Sequence, residues 1–179
     1  GGIAGLWLAY LKLLETQPLV TKVWTTAGLN AFGDIICQCF FESGEFDPKR
    51  TFKFFMLGGL LVGPVLHVWY GTLFRVISGN SFGKTIARLF LDQGIFAPCF
   101  IATFMSALFT IDGHPQDIIP KLKQDWGADC VANWKLWIPF QFVNFRLVPP
   151  NLQVAFANVV ALAWNVYLSW SGHKEIVEA

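Results

Sequence analysis

Three ionisable residues stand where an apolar sequence leaves little room for charge. Asp34 interrupts the run 23–41, Asp92 with Gln93 opens the run 93–111, and Arg146 precedes the run 147–172. A charge in hydrocarbon costs a few kcal/mol or more, so such groups pair with one another or face a watery interior. In the second case Asp34, Asp92 and Arg146 would set the charge selectivity of a passage. Neutral polar residues recur beside them at helical spacing. Asn30, Asp34 and Gln38 fall four apart, on one helix face. His67 shares a face with Gly59, Gly63 and Gly71, and Asn158 belongs to a seven-residue series with Asn151 and Asn165. Asn30, Gln38, His67 and Asn158 are therefore expected as polar lining. The same stripes admit a second reading as helix–helix glue, with close contacts at glycines and interhelical hydrogen bonds of about 1 kcal/mol each. Cys99, Thr103, Ser106 and Thr110 form a further stripe open to both readings. Pairing of Asp34 or Asp92 with Arg146 would likewise be purely architectural.

Other chemistry is not encoded. Cys37, Cys39, Cys99 and Cys130 lack paired metal-ligand spacing and read as buried free thiols. His67, His114 and His173 have no neighbouring ligand partners, so no metal is expected. Gly58-Gly59 with Gly63 lacks the Lys-Ser or Lys-Thr that would complete a phosphate loop. No nucleophile has a recognisable Ser/His/Asp context. Neither an enzyme nor a cofactor is implied.

The elements that position the polar residues follow from composition. Of 179 residues, 54% are hydrophobic and 14% charged, against about 25% charged in ordinary soluble domains. A net charge of +1 gives no attraction to a polyanion, which removes nucleic acid as a partner. A membrane crossing needs about 20 apolar residues in helical form. The runs 23–41, 54–74, 93–111 and 147–172 meet or approach that length, the last preceded by the mostly apolar 136–145. Segments 6–15 and 115–126 are amphipathic and read as interfacial helices. Trp7, Trp24, Trp126, Trp134, Trp137 and Trp170 are candidate interface anchors. Period-two alternation is absent, which excludes a membrane barrel. The expectation is an all-α integral membrane protein of one domain, 1–179. It is a bundle of about four transmembrane helices with amphipathic N-terminal and loop helices, in contact with membrane lipid. A second copy of the chain or a larger membrane complex are the candidate protein partners. With four spans, Lys12, Lys22, Arg75, Lys84, Arg88 and Lys174 share one side, and Lys49, Arg50, Lys53, Lys121, Lys123 and Lys135 the other. That even division gives no orientation.

Short motifs in a fixed order carry a resemblance. Leu6-Trp7-Leu8-Ala9-Tyr10, Gln17-Pro18 and Thr21-Lys22 are followed by Gly33-Asp34 with Gln38, Lys49-Arg50, and Gly63-Pro64 leading to His67, Trp69 and Tyr70. Then come Asp92-Gln93, Ala97-Pro98, Asn133-Trp134, Trp137, Pro139, Gln141, Asn144-Phe145, Val148-Pro149 and the stretch 164–170. Together they resemble the Mpv and peroxisomal-membrane-protein family of small mitochondrial inner-membrane and peroxisomal proteins. The resemblance implies a four-helix protein that forms a channel for small solutes, linked to metabolite exchange and redox homeostasis. The alternative is a non-transporting subunit of a larger membrane complex. The Leu6-Trp7, Gly33-Asp34 and Asp92-Gln93 pairs look closest to the mitochondrial branch, ahead of a peroxisomal or plastid location. The family usually places an arginine where this chain has Gln153, whereas Arg146 stands at a position the family does not normally charge.

Overall fold

The computed structural model describes residues 2–79, 81–147 and 150–176, with side chains except at 144–146 and 150–155. Six helices carry the chain, and no strand occurs among the described residues. They are α1 (Ile3–Thr16), α2 (Pro18–Phe40), α3 (Pro48–Val76), α4 (Phe82–Ile111), α5 (Ile118–Leu147) and α6 (Pro150–Gly172). Local signals set their starts. Pro18 and Pro48 occupy first-turn positions, where the missing N–H costs nothing. The Asp47 carboxylate caps α3 by accepting from Lys49 N at 2.8 Å, and Ser81 caps α4 by accepting from Lys84 N at 3.4 Å. Gly79 (φ 98°) and Gly113 (φ 82°) turn the chain after α3 and α4.

Helices α2 to α6 alternate in direction. The close of α2 meets the start of α3, the residue after α4 meets Lys53 of α3, and the start of α5 meets the residues after α6. The opposite end holds Tyr10 of α1, whose hydroxyl lies 3.2 Å from Thr25 Oγ1, and Arg88, which donates to the Ile77 carbonyl at 2.9 Å. Both α3 and α4 are long and apolar enough to cross a membrane. Leu60, Val68, Phe90 and Ile95 point outward from them, as a lipid-facing surface requires. An inner cluster of Phe54, Leu57, Phe104, Leu108 and Leu168 joins α3, α4 and α6, with Phe54 edge-on to Phe104 at 5.9 Å.

The segment expected as an interfacial helix at 115–126 is instead the first part of the 30-residue α5, which runs on through Pro139. Two of its charges, Lys121 and Asp125, are satisfied by the end of the bundle, whereas Lys123 is exposed. Buried Lys121 donates to the Lys174 carbonyl at 2.7 Å and pairs with Asp125 at 2.9 Å. Asp129 accepts from Tyr167 at 2.8 Å and from Ser171 at 2.6 Å. Because α5 runs the length of the bundle, Lys174 shares an end with Lys121 and Arg50, where a four-span count had separated them.

Each of α3 and α4 widens at one turn. Ten residues after the helix start comes a five-residue π turn, Gly58–Val62 or Asp92–Phe96, and then Gly63-Pro64 or Ala97-Pro98. Proline has no N–H, and its ring collides with the carbonyl four residues back. The wider turn relieves that collision, as Gly63 N reaches back to Gly58 O and Ala97 N to Asp92 O. It also shifts the helix face. A Cβ on Gly58 would lie 2.5 Å from Thr26 O, and one on Gly63 2.7 Å from Thr26 Oγ1. These two, five residues apart, are where α3 presses on α2. Gly59 has only ordinary contacts and Gly71 faces open space. The four-residue glycine stripe is therefore broken by the π turn.

Candidate functional site

One buried carboxylate sits at the close of α2. Asp34 is fully buried, and its Oδ1 accepts from Arg50 Nε at 2.8 Å and Ser169 Oγ at 2.6 Å. Its Oδ2 accepts from Gln38 Nε2 and Thr51 Oγ1, both at 2.7 Å. Arg50 continues the network to Ser169 at 2.7 Å and to both oxygens of Glu42, at 2.6 and 2.9 Å. Those guanidinium bonds hold the Glu42 carboxyl below its ordinary range. Just beyond α6, burial and the nearby Arg50 charge push the His173 imidazole down, so it stays neutral. Every acceptor of Asp34 is used, which leaves it nothing to offer a solute. The cluster clamps α2, α3 and α6 together.

A second carboxylate lies deeper. A cavity of about 410 Å³ opens between α2, α3, α4, α5 and α6. Its walls are mostly apolar, with polar groups from all five helices: Asn30 from α2, Tyr70 from α3, Asp92 and Gln93 from α4, Asn133 and Gln141 from α5, Asn158 and Asn165 from α6. Asp92 accepts from Trp69 Nε1 at 2.7 Å, Gln93 Nε2 at 2.8 Å and Tyr70 OH at 3.4 Å. All three donors are neutral, and no cation pairs with Asp92 among the described residues. The π turn of α4 places it here. Pro98 leaves the Gln93 carbonyl without a donor in that turn, and Trp134 Nε1 of α5 supplies one at 2.7 Å. Trp126 Nε1 of α5 also donates to the Pro98 carbonyl, at 2.8 Å. These indoles tie α5 to α4 while Trp126 and Trp134 keep exposed ring surface, and Trp137 stands on the cavity wall.

Comparison with known proteins identifies the setting. The Mpv17/PMP22 family profile matches residues 109–169. The human mitochondrial inner membrane protein Mpv17 is 38% identical over 173 residues, 94% of this chain and 98% of its own length. The chain belongs to the Mpv17/PMP22 family. The Danio rerio Mpv17 is 32% identical over 176 residues, 96% of this chain and 99% of its own. Protein SYM1 of Gibberella zeae is 35% identical over 166 residues, 90% and 94% of the two chains. No solved structure matches. This Mpv17/PMP22 member is a mitochondrial inner-membrane protein, the location its Mpv17 relatives carry in their names.

Within this family member, the residues expected to line a passage separate into two groups. Asn30, Asp92 and Asn158 are on the cavity wall, with Asn158 Nδ2 also donating to Tyr10 OH at 3.4 Å. Asp34 and Gln38 belong to the clamp. His67 lies off the cavity, with a buried Nδ1 that makes no hydrogen bond. The Arg146 side chain, like those of Asn151 and Gln153, lies outside the described residues. Thr103, Ser106 and Thr110 each donate to the carbonyl four residues back in their own helix, at 2.7–2.8 Å, and none of them lines the cavity. All four cysteines are free. Cys37 and Cys130 are buried, whereas Cys39 and Cys99 are exposed, against the expectation of burial. Spacing alone missed Arg50, Gln93 as a bridge to Asn133, and Gln141. The short connector between α2 and α3 was the available signal for Arg50, because it brings the first turn of one helix against the last turns of the other.

Proposed function

We propose that this protein passes small polar solutes across the inner mitochondrial membrane through the interior of the α2–α6 bundle. The observation that carries the reading is the cavity of about 410 Å³, lined from all five helices and holding a carboxylate with no cationic partner among the described residues. Its size falls within the range of about 300–1,000 Å³ common for small-molecule sites. In this reading the four apolar stretches cross the membrane as parts of α2, α3, α4 and α6. Helix α5 returns the chain between the last two, with Lys121 and Asp125 tucked against the bundle end. Membrane lipid covers the outer apolar faces, and α1 lies along the surface. Asp92 is the residue assigned to charge selectivity, with Asn30 and Asn158 as polar lining, whereas Asp34 acts in folding.

The test is conductance or solute flux through purified protein reconstituted in planar bilayers. Wild-type protein should conduct with a cation preference, and Asp92→Asn should shift the reversal potential toward zero. Silent bilayers containing correctly folded protein would favour the accessory-subunit reading instead.

A further inference from the structure

The hydrogen-bond bookkeeping around Asp92 specifies what a ligand must bring. A carboxylate only accepts, so the Gln93 group that faces Asp92 at 2.8 Å must be its NH2. Gln93 Oε1 then points to Asn133, which must answer with its own NH2, at 2.7 Å. That leaves Asn133 Oδ1 as an acceptor with no hydrogen bond. On α2 the same logic applies to Asn30, whose Nδ2 donates to the Thr26 carbonyl at 2.9 Å and whose Oδ1 takes no hydrogen bond. A buried acceptor left unmade costs about 1–3 kcal/mol, so a ligand that donates to it is favoured.

The cavity thus presents amide groups, with acceptors open at Asn30 and Asn133, and one carboxylate. Among the described residues no lysine or arginine lines it. A phosphate or carboxylate solute would meet only neutral donors there, beside the Asp92 charge. Aromatic rings of Tyr70, Trp137 and Trp164 complete the wall and suit a cation. We infer that the cavity is a binding site for small solutes carrying a protonated primary amine, whose N–H groups donate to Asp92 and Asn133. The inference rests on the passage reading for its physiological role but not for its binding chemistry.

An isosteric series tests it: 4-aminobutanol as the cation, 1,4-butanediol as the neutral form and 4-hydroxybutyrate as the anion. Tetramethylammonium adds a cation without N–H donors. Binding to purified full-length protein is read by calorimetry in detergent, and flux by uptake of the radiolabelled probes into proteoliposomes. The amine should bind and cross at least about tenfold better than the diol, the anion and tetramethylammonium, as charge-assisted donation requires. Asp92→Asn should abolish that preference. Asn133→Leu, which removes the second acceptor but leaves the Asp92 charge, should weaken amine binding several-fold. Equal handling of all four probes, or preference for the anion, overturns the inference while leaving a passage intact. Selective amine binding with no flux upholds the site and overturns the passage. Unchanged selectivity in both variants, each folded by circular dichroism, also overturns it.

Discussion

Two buried aspartates in this bundle have opposite surroundings. Asp34 meets a guanidinium, two hydroxyls and an amide, so both of its oxygens are fully engaged and dry. Asp92 meets only neutral donors and borders a cavity. A charge that is countered on every side is a structural rivet. A carboxylate with no counter-cation beside open volume retains attraction for a solute. Burial alone therefore does not distinguish architecture from function; the sign of the partners and the space beside the group do.

The largest effect should come from unpairing the rivet. Arg50→Gln would leave Asp34 as an uncompensated buried charge, and breaking a buried pair this way costs about 3–5 kcal/mol. Arg50→Gln should lower the thermal unfolding midpoint in detergent steeply, and Asp34→Asn should do so to a smaller degree, because Arg50 then keeps its pair with Glu42. The double variant should recover part of the loss, because neither charge is then left alone. Additive losses in the double variant would remove the basis for contrasting the two sites.

Gly33 links the two regions, because it precedes Asp34 in α2 and backs onto Asn165 of the cavity wall. A Cβ there would lie 2.6 Å from Asn165 Cβ and 3.0 Å from the Asn165 carbonyl carbon. Gly33→Ala must push α6 away from α2, with an overpacking cost of about 1–3 kcal/mol. It should both lower stability and alter flux, whereas Gly71→Ala, where the added methyl meets nothing, should do neither. Equal behaviour of the two variants would show that α2–α6 contact does not couple clamp and cavity.

How much of this was readable beforehand depended on whether a partner lay in the same helix. The face shared by Asn30, Asp34 and Gln38 follows from four-residue spacing, and Gln38 indeed donates to Asp34. Arg50 did not follow, because it comes from the next helix and its Lys49-Arg50 setting resembles a solvated connector. The charges of α5 misled a hydropathy reading because Lys121, Asp125 and Asp129 are hidden against the close of α6. The glycine face shifted because a π turn changes the spacing from four to five, and its trace in sequence is only a proline six residues after the turn begins. The helical class and the membrane setting needed no such information, since length and apolar composition suffice.

At the cavity, stability and selectivity should separate. Asp92→Asn keeps the size of the side chain and trades charge-assisted for neutral hydrogen bonds, a difference of about 1 kcal/mol. Its unfolding midpoint should move far less than that of Asp34→Asn, while its ion or solute preference changes more. A midpoint shift as large as that of Asp34→Asn would make Asp92 a second rivet.

The smallest expected effect is the acid response of the clamp end, and its sign is fixed. His173 is held below its ordinary value of 6.5, first by burial and then by the Arg50 charge, while Asp34 and Asp112 pull the other way. The folded protein therefore binds fewer protons than the unfolded chain once pH falls below about 6.5, and stability declines with acid. Glu42 is held below its ordinary 4.5 by Arg50, so its contribution is complete above that pH and is lost as pH falls further. The unfolding midpoint should thus be flat from pH 8 to 7, then fall in two steps. His173→Gln should remove the upper step and Glu42→Gln the lower one, and neither should alter Asp92-dependent selectivity at neutral pH. If His173→Gln left the decline between pH 7 and 5.5 unchanged, the proton uptake would belong to another group, and the clamp would be less dry than its hydrogen bonds imply.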